Sequence, residues 1–247
     1  MSDPSFTKEN LDLYLKELAK DYRKRNGKSA SAEITLIGGA SVVINDGVRE
    51  MTEDMDAIMD AASSCRDAIL SVGDKFGLPG GWINDDFMRT DSYSPRIVFY
   101  STYYRTFSNA VTVRTVTGEY LIAMKLKSGR LYKYDRSDII GILWGQEKKG
   151  DPLSLDRIRK AVEDLYGSYD VLSDEMKQFI ERAVQNGKYE EIYESIRHTE
   201  AENREILLEY QEDRPGIING DNVNDIIAAL KKRKNNEQRQ NGVCEDE

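Results

Sequence analysis

The stretch LIGGASVVINDGVREMTEDMDAIM, residues 36–59, decides how the first half of this chain is read. EITLI (33–37) is short, apolar and β-branched, which predicts a strand, and Gly38-Gly39 follows it. ASVVIND then suits a short helix that stops at Gly47, and MDAIM (55–59) predicts a second strand. Side chains alternate faces along a strand, so Asp54 and Asp56 point the same way, with Met55, Ala57 and Met59 on the opposite, buried face. Two carboxylates side by side repel each other unless a cation sits between them. Hard oxygen ligands at this spacing suit Mg2+, which favours carboxylates plus substrate phosphates over a full protein cage. The Gly-Gly turn offers the complementary half. Backbone without a Cβ approaches a phosphate closely, the helix start presents unpaired N–H groups, and Ser41 in the first turn has a hydroxyl to donate. A phosphate cradle and a metal site on one sheet edge are the parts that phosphoryl transfer requires. Asp-x-Asp alone is commonly a solvated edge, and this Gly-Gly is not the G-x-G-x-x-G dinucleotide fingerprint. Their conjunction carries the reading.

The totals bound what else the chain can be. At 247 residues it is long enough for one large domain or two modest ones. No run approaches a membrane span, and the first 30 residues lack the apolar stretch of a signal peptide, so the expectation is a cytoplasmic protein with no membrane partner. Cys65 and Cys244 are too few for a disulfide framework or a cysteine-rich zinc site, and the single histidine, His198, reads as a surface residue. A net charge of −9 disfavours broad electrostatic affinity for nucleic acid, although 125–136 and 231–240 are locally basic. The KKRK run (231–234) is read as a solvated helix end.

Outward from the opening stretch, the chain divides into an α/β first half and an all-α second half. An amphipathic N-terminal helix carries Leu11, Tyr14, Leu15, Leu18 and Tyr22 on one stripe and stops at Asn26-Gly27. A helix is expected after the second strand, then a long ordered loop over LPGGWINDDFMRTDSYSP, whose Asn84, Asp85 and Asp86 read as turn formers. RIVFYSTYYRTF and AVTVRTV are expected strands, with their tyrosines packing across strands. From Gly118 onward the apolar spacing is helical throughout, including a long charged helix over 188–213. The expected divisions are an N-terminal helix (1–30), an α/β domain (31–145), a helical domain (146–240) and a disordered tail (241–247).

The combination of a Gly-Gly turn with a hydrophobic-flanked Asp-x-Asp resembles nucleotidyltransferases of the polymerase-beta type. Arg49 and Thr52 match the Arg-x-x-Thr-x-Asp-x-Asp form of a bacterial branch that includes the abortive-infection toxins of AbiEii type. GGWINDDFMRTDSYS and YLIAMKLKSGRLYKYDRSDIIGIL are similar to relatives of uncharacterised function in that branch, and the likeness covers about residues 30 to 145. The resemblance implies an α+β fold, a nucleotidyltransferase-like mixed sheet with flanking helices, followed by the all-α C-terminal half. It implies Asp54 and Asp56 as catalytic and metal-binding residues. Gly38, Gly39, Ser41, Arg49 and Thr52 are implied on the nucleotide. Lys125 and Asp138 fall where the branch completes its site. Asp138 either completes the metal site or acts as the base. Many members carry a third carboxylate on a later central strand, where this chain has Thr112 and Arg114. Asp138 or Asp86 is left to supply it, or the metal site is incomplete. The implied function is NMP transfer from an NTP, with Mg2+ in a one- or two-metal site. The acceptor is an RNA 3′ end, a protein or a small molecule, in a toxin–antitoxin or phage-defence setting with a cognate antitoxin as partner. The alternative is a catalytically inactive module that binds a nucleotide or a partner.

Overall fold

The computed structural model describes residues 5–45, 47–131, 133–218 and 222–241, with side chains as far as 233. It is an α+β protein with small mixed sheets and flanking helices. In chain order the elements begin with β1 (Phe6–Thr7), α1 (Lys8–Asn26), β2 (Ala32–Leu36), α2 (Gly38–Asn45), β3 (Met51–Thr52), β4 (Ala57–Asp60) and α3 (Ser64–Phe76). There follow β5 (Ser101–Phe107), β6 (Val111–Val116), α4 (Gly118–Ser128), α5 (Asp135–Lys148) and α6 (Leu155–Tyr166). Last come α7 (Asp174–Asn186), α8 (Tyr189–Asp213) and α9 (Val223–Asn241). Residues 242–247 of the expected tail, Cys244 among them, lie outside the described residues. No described helix is long and apolar enough to cross a membrane.

The main sheet has the order β4-β2-β6-β5, with β2 parallel to β6 and the outer strands antiparallel to their neighbours. β1 and β3 pair separately, two residues each; a run so short carries no periodicity and is invisible to pattern reading. On one face, Ile34, Leu36, Ala57, Val111 and Val113 join Leu11, Leu15, Leu18 and Tyr22 of α1 and the apolar side of α3 in a single core. The helix stripe seen in the sequence is therefore the surface that seals this face. α1 starts in a capping box, Thr7 exchanging bonds with Asn10, and ends where the Gly27 N–H reaches the Arg23 carbonyl.

A second core gathers Ile37, Val42, Ile97 and Val116 with the inner faces of α4 to α8 at the other end of the sheet. β2 and β6 both run toward this core, and each leads into a helix that begins with glycine, Gly38 and Gly118. A Cβ on Gly118 would stand 2.9 Å from the Ile142 side chain, so glycine lets α4 and α5 close together. Open α/β sheets bind ligands beyond the carboxyl ends of their parallel strands, and this is the end where β2 delivers Gly38.

One expected strand begins late. Residues 96–100, read as the start of a strand, belong to a 3-10 helix (Pro95–Tyr100) with Pro95 in its first turn, and β5 begins only at Ser101. Proline fixes φ near the helical value and removes a ladder donor, which outweighs the β-branched and aromatic content of RIVFY. Regular pairing of the second strand likewise starts at Ala57 rather than Met55, because the main chain at Met55 pairs with Asn84 instead.

Candidate active site

The register of β2 on β4 places Leu36 opposite Ala57, and the Ile37 N–H then donates to the Asp56 carbonyl at 2.9 Å. Gly38, the next residue, is thereby set against the acid. It has φ +58°, and a Cβ there would stand 3.2 Å from Asp56 Oδ2. Gly39 serves a different neighbour: its Cβ would fall 2.2 Å from Thr52 Oγ1. One glycine admits the carboxylate and the other admits β3. The other edge of the acid-bearing segment is pinned by the 84 loop, with the Ala57 N–H on the Asn84 carbonyl at 2.8 Å and the Asn84 N–H on the Met55 carbonyl at 3.1 Å.

Met55 and Ala57 are fully buried while Asp54 and Asp56 face the cleft, the alternation expected of an extended segment. Burial, and then the charge of Asp54, push the Asp56 carboxyl up to about 6, against the pull of Lys133, Arg130 and Lys125. Asp54 is 62% exposed, and its Oδ2 lies 3.4 Å from Lys133 Nζ.

Behind the acids stands a buried ion network. Lys125 Nζ lies 2.7 Å from Asp138 Oδ2 and 3.3 Å from Asp135 Oδ1. Burial alone would lower the lysine's pKa, but Asp138 and Asp135 hold it above its ordinary value. Burial likewise works against an ionised Asp135, and Lys125 and Arg130 overcome it, holding the carboxyl down at about 2. Arg49 Nη1 donates to Asp138 Oδ2 at 2.7 Å, its Nε to the Met51 carbonyl at 2.7 Å and its Nη2 to Thr52 Oγ1 at 3.3 Å. Thr52 Oγ1 in turn donates to the Asp54 carbonyl at 3.1 Å. Arg49 and Thr52 therefore line the cleft as braces for the acid-bearing segment.

The cleft thus gathers Gly38, Gly39, Arg49, Thr52, Asp54, Asp56, Lys125 and Asp138. Ser41 is not among them. It is fully buried, donates to the Leu36 carbonyl at 2.6 Å and accepts from the Val116 N–H at 3.4 Å, so its hydroxyl ties β2 to β6 and does not reach a phosphate. Asp138 is 2% exposed with one oxygen shared between two cations, the position of a structural counter-ion. Asp86 is exposed and paired with Arg89 at 3.4 Å. Thr112 bonds the Thr106 hydroxyl and Arg114 bonds Ser101, so neither strand position offers a carboxylate substitute. His198 is exposed beside Glu202, and Tyr100 stacks on Tyr120 at 3.8 Å between centroids.

The contribution of α8 has no distinctive local signature in the sequence, because its partners lie far along the chain. Arg197, Glu200, Asn203 and Arg204 follow helical spacing, and each holds the start of α5, the segment before it or the acid-bearing loop. Glu200 Oε1 accepts the Arg136 and Ser137 N–H groups at 3.0 and 3.2 Å, capping α5 from a different helix. Asn203 donates to the Leu131 carbonyl at 2.8 Å. Arg204 grips Glu53 with both terminal nitrogens, at 3.1 and 2.8 Å, and Arg197 lies 3.8 Å over the Tyr134 ring. Burial pushes the Glu200 carboxyl up to about 7. The available signal was polar residues repeating every three to four positions within a long charged helix, a pattern shared by any solvated helix face.

The cleft has two lobes that meet at Gly38, Asp54, Asp56, Lys125, Arg130 and Lys133. The first, about 410 Å³, is lined by the glycines and acids, by Tyr134 and Arg204, and by an apolar group of Leu207, Leu208, Ile218 and Val223. The second, about 280 Å³, extends toward the 84–92 loop. Among the described residues, no group of three or more His, Cys, Asp or Glu side chains is arranged to hold a metal ion. No family model, curated protein or solved structure matches the chain.

Proposed function

We propose that the chain is a Mg2+-dependent nucleotidyltransferase that moves an NMP from an NTP to a hydroxyl acceptor. The observation that carries the reading is the chemistry gathered around the first lobe. Glycine backbone, paired acids with cations beside them, a tyrosine and an apolar group all line it. A triphosphate, ribose and base call for the same kinds of partner. The first-turn N–H groups of α2 lack acceptors within the helix, and two of the residues that carry them, Gly38 and Gly39, line the cleft. Asp54 and Asp56 would hold the metal. Two carboxylates with phosphate oxygens as further ligands suit Mg2+, and a cation there would offset the burial and, after it, the Asp54 charge that together raise the Asp56 carboxyl. Bound there, Mg2+ supplies charge neutralisation on the phosphates and the leaving pyrophosphate. Lys133 and Arg130 line the same place and add positive charge, whereas Lys125, already shared between two carboxylates, acts chiefly by holding the wall. The acceptor oxygen bonds to the α-phosphorus as the bond to the bridging oxygen breaks. By resemblance, the setting is a bacterial toxin–antitoxin or phage-defence system with a cognate protein partner.

The test is calorimetric titration with ATP, GTP, CTP and UTP with and without Mg2+, comparing wild type with Asp54→Ala/Asp56→Ala. Binding that requires both metal and acids supports the reading, and binding indifferent to either sinks it. The second reading is a nucleotide-binding module without turnover. It is favoured by Asp138 being committed to ion pairs, which leaves two acids rather than three. Metal-dependent binding with no label transferred from an α-labelled NTP to any acceptor class would decide for it.

A further inference from the structure

From the second lobe we infer a separate acceptor site, whose ligand is a small alcohol or phenol that carries an apolar ring and no phosphate. The inference rests on the transferase reading and names the substrate that reading leaves open. Three observations carry it. The lobe is distinct from the proposed nucleotide lobe yet shares Gly38, Asp54 and Asp56 with it, so a molecule seated in either reaches the same pair of acids. Its volume, about 280 Å³, lies just below the range of about 300–1,000 Å³ usual for small-molecule pockets, which suits one ring with its substituents. Its lining has two characters. Ile37, Phe87, Leu121 and Met124 supply apolar surface, while Asn84 supplies an amide. Asp86 and the shared acids, with Lys125, Arg130 and Lys133, supply charge of both signs.

The small volume and the charge of the outer loop together decide against a polymeric anion. The loop that walls this lobe exposes Asp85, Asp86 and Asp91 toward solvent, and the one exposed arginine of that stretch, Arg89, is paired with Asp86. A nucleic-acid strand needs a basic track that continues beyond the site for its phosphates, and although Arg130 and Lys133 line the lobe, the loop outside it is acidic. A neutral or cationic molecule enters such a mouth without repulsion. In the transfer step its hydroxyl oxygen forms the bond to the α-phosphorus and the α–β bridging P–O bond breaks. Pyrophosphate leaves through the first lobe, and the hydroxyl proton passes to water at the mouth of the second.

The experiment is saturation-transfer NMR on the full chain with benzyl alcohol, tyrosol and uridine as probes, in wild type, Thr90→Trp and Thr90→Ala. Thr90 lies on the rim, and its hydroxyl serves only the local turn, bonding the Phe87 carbonyl and the Ser92 hydroxyl. The indole fills the lobe while the alanine controls for loss of that bond. The expected result is saturation of probe ring protons in wild type and Thr90→Ala, with apparent affinity about tenfold weaker in Thr90→Trp. Mg2+–ATP binding, measured on the same samples, stays within about twofold throughout. Equal saturation in all three proteins, or none in wild type while Mg2+–ATP binds, overturns the acceptor site and leaves the transferase reading standing. Tighter binding of a short oligouridylate than of uridine, lost in Thr90→Trp, overturns it in favour of a nucleic-acid acceptor. Failure of Mg2+–ATP to bind wild type is the failure of the transferase reading itself, whereas ring binding without it leaves a small-molecule site detached from that chemistry and overturns the acceptor role.

Discussion

Replacing Lys125 by methionine removes the ammonium from the buried network and keeps a side chain of similar length in its slot. Lys125 is 9% exposed, with Asp138 Oδ2 at 2.7 Å and Asp135 Oδ1 at 3.3 Å. Removing one partner of a buried ion pair costs about 3–5 kcal/mol, because the partner stays buried as an uncompensated charge. Here neither carboxylate is left alone. Asp138 keeps Arg49 at 2.7 Å, and Asp135 keeps Arg130 at 2.9 Å. The expected cost therefore sits at the lower bound, about 3 kcal/mol. For a chain of this size each kcal/mol moves the thermal midpoint by about 2–4 °C, so Tm should fall by about 6–12 °C. The assay is urea unfolding at pH 7 followed by circular dichroism, with the midpoint lowered and the denaturant slope unchanged. Adding Asp138→Asn should deepen the loss, because it strands Arg49, the cation that Asp138 otherwise keeps. A cost below about 1 kcal/mol, the range of an exposed pair, would refute the reasoning, since it would mean that water already reaches and screens these groups.

Gly39→Ala should cost about 1–3 kcal/mol and abolish Mg2+-dependent nucleotide binding, because its Cβ falls 2.2 Å from Thr52 Oγ1 and must push β3 away from the acids; unfolding midpoints and calorimetry check both halves. Glu200→Gln should change the pH dependence of stability. Burial raises the Glu200 carboxyl to about 7 in the folded state from 4.5, so its contribution is fully present below pH 4.5 and is lost as pH rises through 7. Wild type should lose at most about 3 kcal/mol across that window from this group, and the amide, which still accepts both α5 N–H groups, should remove that part of the slope in urea titrations at stepped pH. Arg204→Ala removes a half-exposed bidentate pair and should cost about 1 kcal/mol or less in stability. Its larger effect should be a rise in the hydrogen-exchange rate of residues 50–56, read by mass spectrometry.

Much of the site was written in local order. Gly38, Gly39, Thr52, Asp54 and Asp56 lie within 19 positions of sequence, and strand alternation brings the acids to one face without further information. Ser41 shows the limit of that reasoning. A hydroxyl in the first turn of a helix reads as a phosphate donor, but a helix buried on most sides turns some first-turn residues inward, and only tertiary packing says which. The same limit hid Glu200 and Arg204, whose partners lie 64 and 151 residues away. Asp138 was found by its position and not by its neighbours: its pairing with Arg49 and Lys125 is a three-body arrangement that no single segment encodes. The strand expected at 96–100 failed for a local reason, Pro95, whose ring decides the backbone where the side chains that follow do not.

The grip of Arg204 on Glu53 also has a consequence during synthesis. The two residues are 151 positions apart, and at about 5–20 residues per second the ribosome needs about 8–30 s to make the chain between them. Through that interval the nascent protein holds its two acids and its glycine turn while lacking the helix that braces them and caps α5. The wall of the cleft is thus completed only when the last third of the chain has been made.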